Sequence, residues 1–413
     1  MYMAFAEPYT FTDLKQYLNY IESSYFTKEV LCYTIIGNPC YVLTITSKGK
    51  KSCKQGVVLT ARAHPGETVA SWMIQGAINF LLSEAKEAKR LREKFVFKIV
   101  PMLNPDGVIN GNYRCSLAGC DLNRKYSCPS KTLHPTIYYL KRMVKEFNKV
   151  NPVVFYCDFH GHSKNKDVFM YGNTDEQNPE YYRIFPFIMS KLNDSFSFTS
   201  SKFVVQKAKS STARVVMWKE LNIPSVYTIE ASFYGATNGI EQFTVNDYMV
   251  IGASLCKALN LYEKVFDEVH NDHKKNYKTI AKCNETLDLL YNKETNKEDA
   301  VWIAKEFKEH VNEFSESCSD EGSDSNPSED NLNEREVQKN EVKFEERVQG
   351  LVKSSGCINS RRLMPNKVVA QYNRSKIELG FIRNRLITKN NAYFLISYYV
   401  VTITLLKIEI CQV

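Results

Sequence analysis

The 413-residue chain carries 12 cysteines, yet none stand in a C-x-x-C pair, so neither a zinc knuckle nor a thioredoxin-type dithiol can be drawn. Scattered cysteines read as free thiols of a reducing compartment. The opening MYMAFAEPYTFTDLKQY has no basic segment followed by an apolar stretch. A secretory leader is therefore not expected, and the cytoplasm is the expected location. Long hydrophobic runs are also lacking. The apolar segment AYFLISYYVVTITLL at 392–406 holds 15 residues, fewer than the ~20 that cross a bilayer, so membrane anchoring through it is not expected. There is no internal repeat and no recognisable nucleic-acid module or basic stripe with interleaved aromatics, which argues against nucleic acid as a partner. Histidine is scarce, 7 in all, so a cluster of histidines would be informative.

What is present is an ordinary globular composition, 44% hydrophobic and 24% charged, which excludes a wholly disordered or fibrous chain. Charge is uneven. Residues 1–264 hold 32 Lys+Arg against 22 Asp+Glu, a net +10, while 265–413 hold 22 against 24, a net −2. A basic front part suits an acidic partner, although such an excess is common on inert surfaces as well.

Up to residue 264, apolar runs of strand length alternate with helical patterns. The runs are YVLTIT at 41–46, GVVLTAR at 56–62, FVFKIV at 95–100, VVFYCDF at 153–159 and SVYTIEA at 225–231. Continuous apolar runs predict strands covered on both faces. Between them the spacing predicts helices over 67–83, 135–149, 179–194, 212–222 and 243–262, the first with an Ala70, Ile74, Ile78, Leu81 stripe. The expected fold is α/β: a mixed, largely parallel central sheet flanked by helices, with a poorly ordered C-terminal tail. Residues 1–264 form the expected main domain and 265–315 a charged extension with helical character. Residues 316–346, with 11 acidic and 3 basic positions, read as an acidic disordered linker, and 347–413 as a basic and then apolar tail.

Open α/β sheets bind ligands beyond the carboxyl ends of their strands, and the polar motifs fall there. His64-Pro65-Gly66-Glu67 follows one apolar run and offers a neutral nitrogen and an anionic oxygen donor, a pair that suits Zn²⁺. Alone, H-x-x-E fits an ordinary helix start equally well, with Glu67 serving the helix dipole. A second histidine ends another run in Asp158-Phe159-His160-Gly161-His162, and His64, Glu67 and His160 together make a His₂Glu set for one zinc ion with a position left open. His162 is the alternative to His160. Asp158 could orient a ligand or be a buried structural aspartate. Glu230 closes the apolar run 225–230, where an ionised carboxylate is costly without a partner or a function. It is the candidate general base.

The ordered motifs HPGE, NPDGVINGNYR, CDLNR, DFHGHS and TIEASFYG resemble those of the cytosolic carboxypeptidases, the branch of the zinc M14 carboxypeptidases that acts on glutamate chains of tubulin and other proteins. The likeness runs from Pro8 to Tyr262. It implies a zinc carboxypeptidase fold and removal of C-terminal or side-chain glutamates from a glutamylated protein, with tubulin the expected partner and microtubules an expected address. It places the catalytic glutamate on Glu230 and gives Arg114 of GNYR the task of polarising the scissile carbonyl. Asn123 and Arg124 of DLNR match the clamp on the substrate's terminal carboxylate. Arg214, in SSTARVVMWKEL, falls in the stretch that supplies the charge selecting a glutamate side chain. Asn104-Pro105-Asp106-Gly107 is a turn sequence with a scaffolding role. Family members carry a β-rich domain before the catalytic one, which the likeness does not cover here. Two other readings compete: a catalytically impaired tubulin-binding module, and a zinc amidohydrolase of small acylated amino acids.

Overall fold

The computed structural model describes residues 4–49, 54–175 and 181–271, the last nine by backbone alone. The chain divides into two units, Met1–Glu341 and Val342–Val413, and every described residue belongs to the first. The proposed linker 316–346, the tail 347–413 with its apolar segment 392–406, and all of the extension 265–315 beyond Asn271 lie outside the described residues.

One mixed sheet organises the described residues, in the order β1 (Phe26–Tyr33), β2 (Pro39–Ile45), β4 (Phe95–Val100), β3 (Gln55–Ala61), β5 (Val153–His162), β7 (Ser225–Ser232) and β6 (Val168–Tyr171). Its centre, β4-β3-β5-β7, is parallel, whereas β2 pairs antiparallel with β4, β1 antiparallel with β2, and β6 antiparallel with β7. The chain goes from β3 to β4 on one side and then crosses to β5 on the other. That reversal opens a crevice at the carboxyl ends of β3 and β5, where a doubly covered sheet holds its ligands.

Both faces of the central strands are covered, which explains their unbroken apolar sequences. On one face Leu59, Ile99, Phe155, Phe159 and Ile229 pack against α2 (Thr68–Leu82), α6 (Tyr181–Leu192) and α8 (Val245–Asn271). On the other, Val58, Val100, Tyr156 and Val226 pack against α5 (Pro135–Val150) and α7 (Ala213–Leu221). Helix α2 buries more than the expected stripe, adding Val69, Met73 and Ala77, because it lies between the sheet and α8. The two helices meet backbone to backbone. A Cβ on Gly252 would sit 1.8 Å from the Met73 carbonyl oxygen, and one on Gly76 2.0 Å from that of Met249.

Five elements lie outside the apolar patterns: α1 (Phe11–Tyr20), α3 (Lys86–Lys94), α4 (Pro105–Asn110), β1 and β6. Helix α1 starts with a capping box between Thr10 and Asp13. The NPDG segment starts α4, with the Asn104 side chain accepting the Gly107 N–H. It also has a structural task, since buried Asp106 accepts from Thr34 Oγ1 at 2.5 Å and Asn38 Nδ2 at 2.8 Å and so ties α4 to the β1–β2 turn. No helix among the described residues is long and apolar enough to cross a membrane.

Candidate metal centre

The HPGE segment leaves β3 through Arg62, whose φ of 60° bends the chain out of the strand. The Arg62 guanidinium then turns inward, with Nε donating to Pro65 O at 2.9 Å and Nη1 to Tyr9 O at 3.0 Å and Ser71 Oγ at 2.7 Å. Burial pulls its pKa down to about 10, so it stays a cation at neutral pH. The turn is also closed tightly at Gly66, whose N–H donates to Tyr113 O at 2.6 Å while the Tyr113 ring covers the place a Cβ would take.

These restraints bring His64 and Glu67 against His160 at the end of β5. One donor atom from each of the three lies within 4.8 Å of the others. His64 Nδ1 is 2.6 Å from Glu67 Oε1, His160 Nδ1 is 2.8 Å from Glu67 Oε2, and the two Nδ1 atoms are 3.2 Å apart. Each outer nitrogen meets a carboxylate: His64 Nε2 lies 2.9 Å from Asp121 Oδ1 and His160 Nε2 lies 2.8 Å from Asp158 Oδ2. Both nitrogens of each ring thus face a carboxylate, and with a cation among the donors each ring keeps its proton on Nε2 for the outer carboxylate and presents its Nδ1 lone pair inward. Two lone pairs and a carboxylate then face one another, with the Gly161 N–H, 3.1 Å from Glu67 Oε2, as the donor among them. Such a set repels itself unless a cation lies between, and two imidazoles with one carboxylate fit Zn²⁺. The surrounding carboxylates favour positive charge at the rings, whether a proton or a metal ion carries it. Burial opposes charge on both rings, yet Glu67 with Asp121 around His64, and Asp158 with Glu67 around His160, raise both. Burial likewise opposes ionisation of Glu67, but the two rings hold it well below the usual carboxylate range.

Asp121 was given no role by the sequence patterns, and it links most of the other groups. It accepts from Arg114 Nη2 at 2.6 Å and from the Asn123 N–H at 2.7 Å, and Arg124 Nη1 stands 3.8 Å away. The only sequence signal for it was its cap-type position at the start of the short 3₁₀ turn Leu122–Arg124. Arg114 Nη1 is 4.0 Å from Glu67 Oε1, so the guanidinium borders the donors. Asn123 is buried, with Nδ2 3.5 Å from His160 Nε2 and Oδ1 accepting the Ala213 N–H at the start of α7.

Glu230 pairs in register with His160 across β5 and β7, which sets both side chains on the same face of the sheet. Among the described residues its carboxylate accepts no hydrogen bond. Burial pushes it up to about 8, with the neighbouring Glu67 charge adding to the rise and His160, His64 and Arg114 opposing it. His162 stands apart from the donors: its Nδ1 accepts from the N–H groups of Lys164 and Asn165. Arg214 also makes no contact with the cluster. Its Nη1 donates to the Gly172 carbonyl and to Asn173 Oδ1, no carboxylate among the described residues pairs with it, and burial lowers it to about 10.

The sequence pattern of the zinc carboxypeptidases, peptidase family M14, matches residues 14–252. Cytosolic carboxypeptidase 2 of Danio rerio is 46% identical over 274 residues, covering 62% of this chain and 38% of the relative. Cytosolic carboxypeptidase 3 of Bos taurus is 44% identical over 300 residues, covering 69% and 29%. The chain thus spans 38% and 29% of the length of these two relatives. A solved metallo-carboxypeptidase from Burkholderia cenocepacia superposes with a TM-score of 0.57 at 22% identity, covering 63% of this chain and 71% of that one. One from Pseudomonas aeruginosa gives 0.56 at 23% identity, covering 64% and 71%. Both likenesses concern the fold.

Proposed function

Because the chain belongs to the zinc carboxypeptidase family, we propose that it is a zinc-dependent carboxypeptidase that removes glutamate from C-terminal or side-chain positions of protein substrates, tubulin foremost. The observation that carries this reading is the convergence of His64, Glu67 and His160 with Glu230 in register beside them. His64, Glu67 and His160 would hold the zinc ion, which would supply Lewis acidity toward water and the scissile carbonyl. The chain's own groups do the rest. Added positive charge at the donors draws Glu230 back toward its carboxylate form, in which it takes the proton of the attacking water and returns it to the leaving amine. Arg114, held by Asp121, is aimed at the developing oxyanion. Arg124 and Asn123 bind the terminal carboxylate, which restricts cleavage to chain ends.

Arg214 supports the glutamate preference. A buried guanidinium without a carboxylate partner is costly, and a substrate glutamate side chain is the anion that would complete it. The motif likeness to the cytosolic carboxypeptidases supports a cytoplasmic, microtubule-associated enzyme.

The test is Glu230→Gln, which leaves the metal donors intact and neutralises the base. It is expected to retain zinc while glutamate release from glutamylated tubulin falls at least ~100-fold, the scale of general-base catalysis. Near-normal release would refute the assignment, and release of an acyl group from acylated amino acids in place of glutamate would turn the reading to an amidohydrolase.

A further inference from the structure

We propose that Thr60 and Tyr156 are positioning residues of the metal centre, fixing the His160 ring through Asp158 so that Nδ1 faces the ion. The inference rests on reading His64, Glu67 and His160 as metal donors. Asp158 is fully buried, and among the described residues no lysine or arginine forms an ion pair with it. Its charge is met instead by two short contacts. Oδ2 accepts from His160 Nε2 at 2.8 Å, and Oδ1 accepts from Thr60 Oγ1 at 2.6 Å. A threonine hydroxyl has one proton, and here the carboxylate takes it. The contact of 2.9 Å between Thr60 Oγ1 and the Tyr156 hydroxyl must therefore run from tyrosine to threonine. The result is a one-way chain of donors from Tyr156 to Thr60 to Asp158, opposed by the single N–H of His160.

Strand register builds this chain. Thr60 is the partner of Asp158 across β3 and β5, and Tyr156, Asp158 and His160 alternate onto one face of β5. His64 follows β3 and His160 lies on β5, so the hydroxyls lock the carboxylate between the two segments that supply metal donors. Packing alone does not call for a hydroxyl at position 60. Valine has the same shape, and Val57 and Val58 occupy the same strand. A fully buried hydroxyl is retained here where its proton orients a carboxylate that has no other fixed donor besides the ring it serves. Were Asp158 free to rotate, His160 could exchange tautomers and put a proton on Nδ1, which then could not ligate.

The test uses the full chain and zinc alone, read by competition with a chelator, together with the visible absorption spectrum of the Co²⁺-loaded protein. Thr60→Val is expected to bind zinc about ten-fold more weakly and to displace the cobalt bands, while Thr60→Ser, which restores the hydroxyl, stays within about two-fold of the parent. Tyr156→Phe removes the donor to Thr60, together with the hydroxyl's interaction with Tyr126, and is expected to weaken binding about five-fold, the worth of one neutral hydrogen bond. Should Thr60→Val fail to fold, Tyr156→Phe decides. Zinc affinity within about two-fold of the parent, with an unchanged cobalt spectrum, overturns the proposal. Parent protein that takes up no zinc overturns the metal reading and this one together, whereas parent protein that binds zinc without releasing glutamate refutes the proposed substrate only.

Discussion

Replacing Asp121 by asparagine keeps the shape of the side chain and removes one acceptor, yet it acts on two functional groups. The carboxylate now receives His64 Nε2 at 2.9 Å and the Asn123 N–H at 2.7 Å on one oxygen and Arg114 Nη2 at 2.6 Å on the other. An amide has a single oxygen to offer. If its NH₂ turns toward Arg114, two donors face each other and the guanidinium loses its anchor. If the NH₂ turns toward His64, the ring must accept at Nε2, and its proton moves to Nδ1, the atom that faces the metal donors. Each arrangement forfeits at least one hydrogen bond that the carboxylate now accepts, the second losing the Asn123 N–H as well, and one charged bond is worth about 1.5–3 kcal/mol, which at ~1.4 kcal/mol per factor of ten is a loss of roughly 10- to 100-fold. The assay is zinc affinity by chelator competition beside kcat/KM on a glutamate-ended peptide. The first arrangement lowers kcat/KM with modest change in zinc affinity, and the second lowers both. A variant within about two-fold of the parent in both quantities would refute the role given to Asp121.

Arg214→Leu is expected to lower kcat/KM for glutamate-ended peptides on the order of 100-fold relative to apolar-ended ones, as for loss of a buried charge partner. An unchanged ratio between the two peptides removes Arg214 from substrate selection. Gly252→Ala would press a methyl group into the Met73 carbonyl 1.8 Å away, so α2 and α8 must separate. The expected cost is about 3 kcal/mol, seen as a thermal midpoint lower by roughly 5–10 °C. A midpoint within about 1 °C of the parent contradicts the backbone contact.

The central strands were legible because burial on both faces leaves a continuous apolar run, and the runs at 41–46, 56–62, 95–100, 153–159 and 225–231 correspond to β2, β3, β4, β5 and β7. Strand β1 escaped because it is an edge: Thr27, Lys28, Glu29 and Val30 are all exposed, so no periodicity marks it. With four residues, β6 is too short to carry a pattern. Helix α3 buries only Ala88, Leu91 and Arg92 behind a charged sequence, and α4 is written with the Pro and Gly of a turn. Among site residues, His64, Glu67, His160 and Glu230 stood out because polar groups at the ends of apolar runs are conspicuous. Asp121 sits in a loop where aspartate is common, and its role arises from distant chain segments. Thr60 lies inside a strand, where threonine reads as β-propensity, and only the register with Asp158 reveals its proton. For Arg214 the motif pointed to a pocket, while the structure shows its Nη1 held by Gly172 and Asn173.

Metal content bears on the whole reading most directly. The purified full chain, equilibrated with excess zinc and then freed of unbound metal, is expected to retain one zinc ion per chain, and His160→Ala none. A folded parent chain with no zinc, or a His160→Ala variant that keeps it, would contradict the proposed centre and the chemistry built on it.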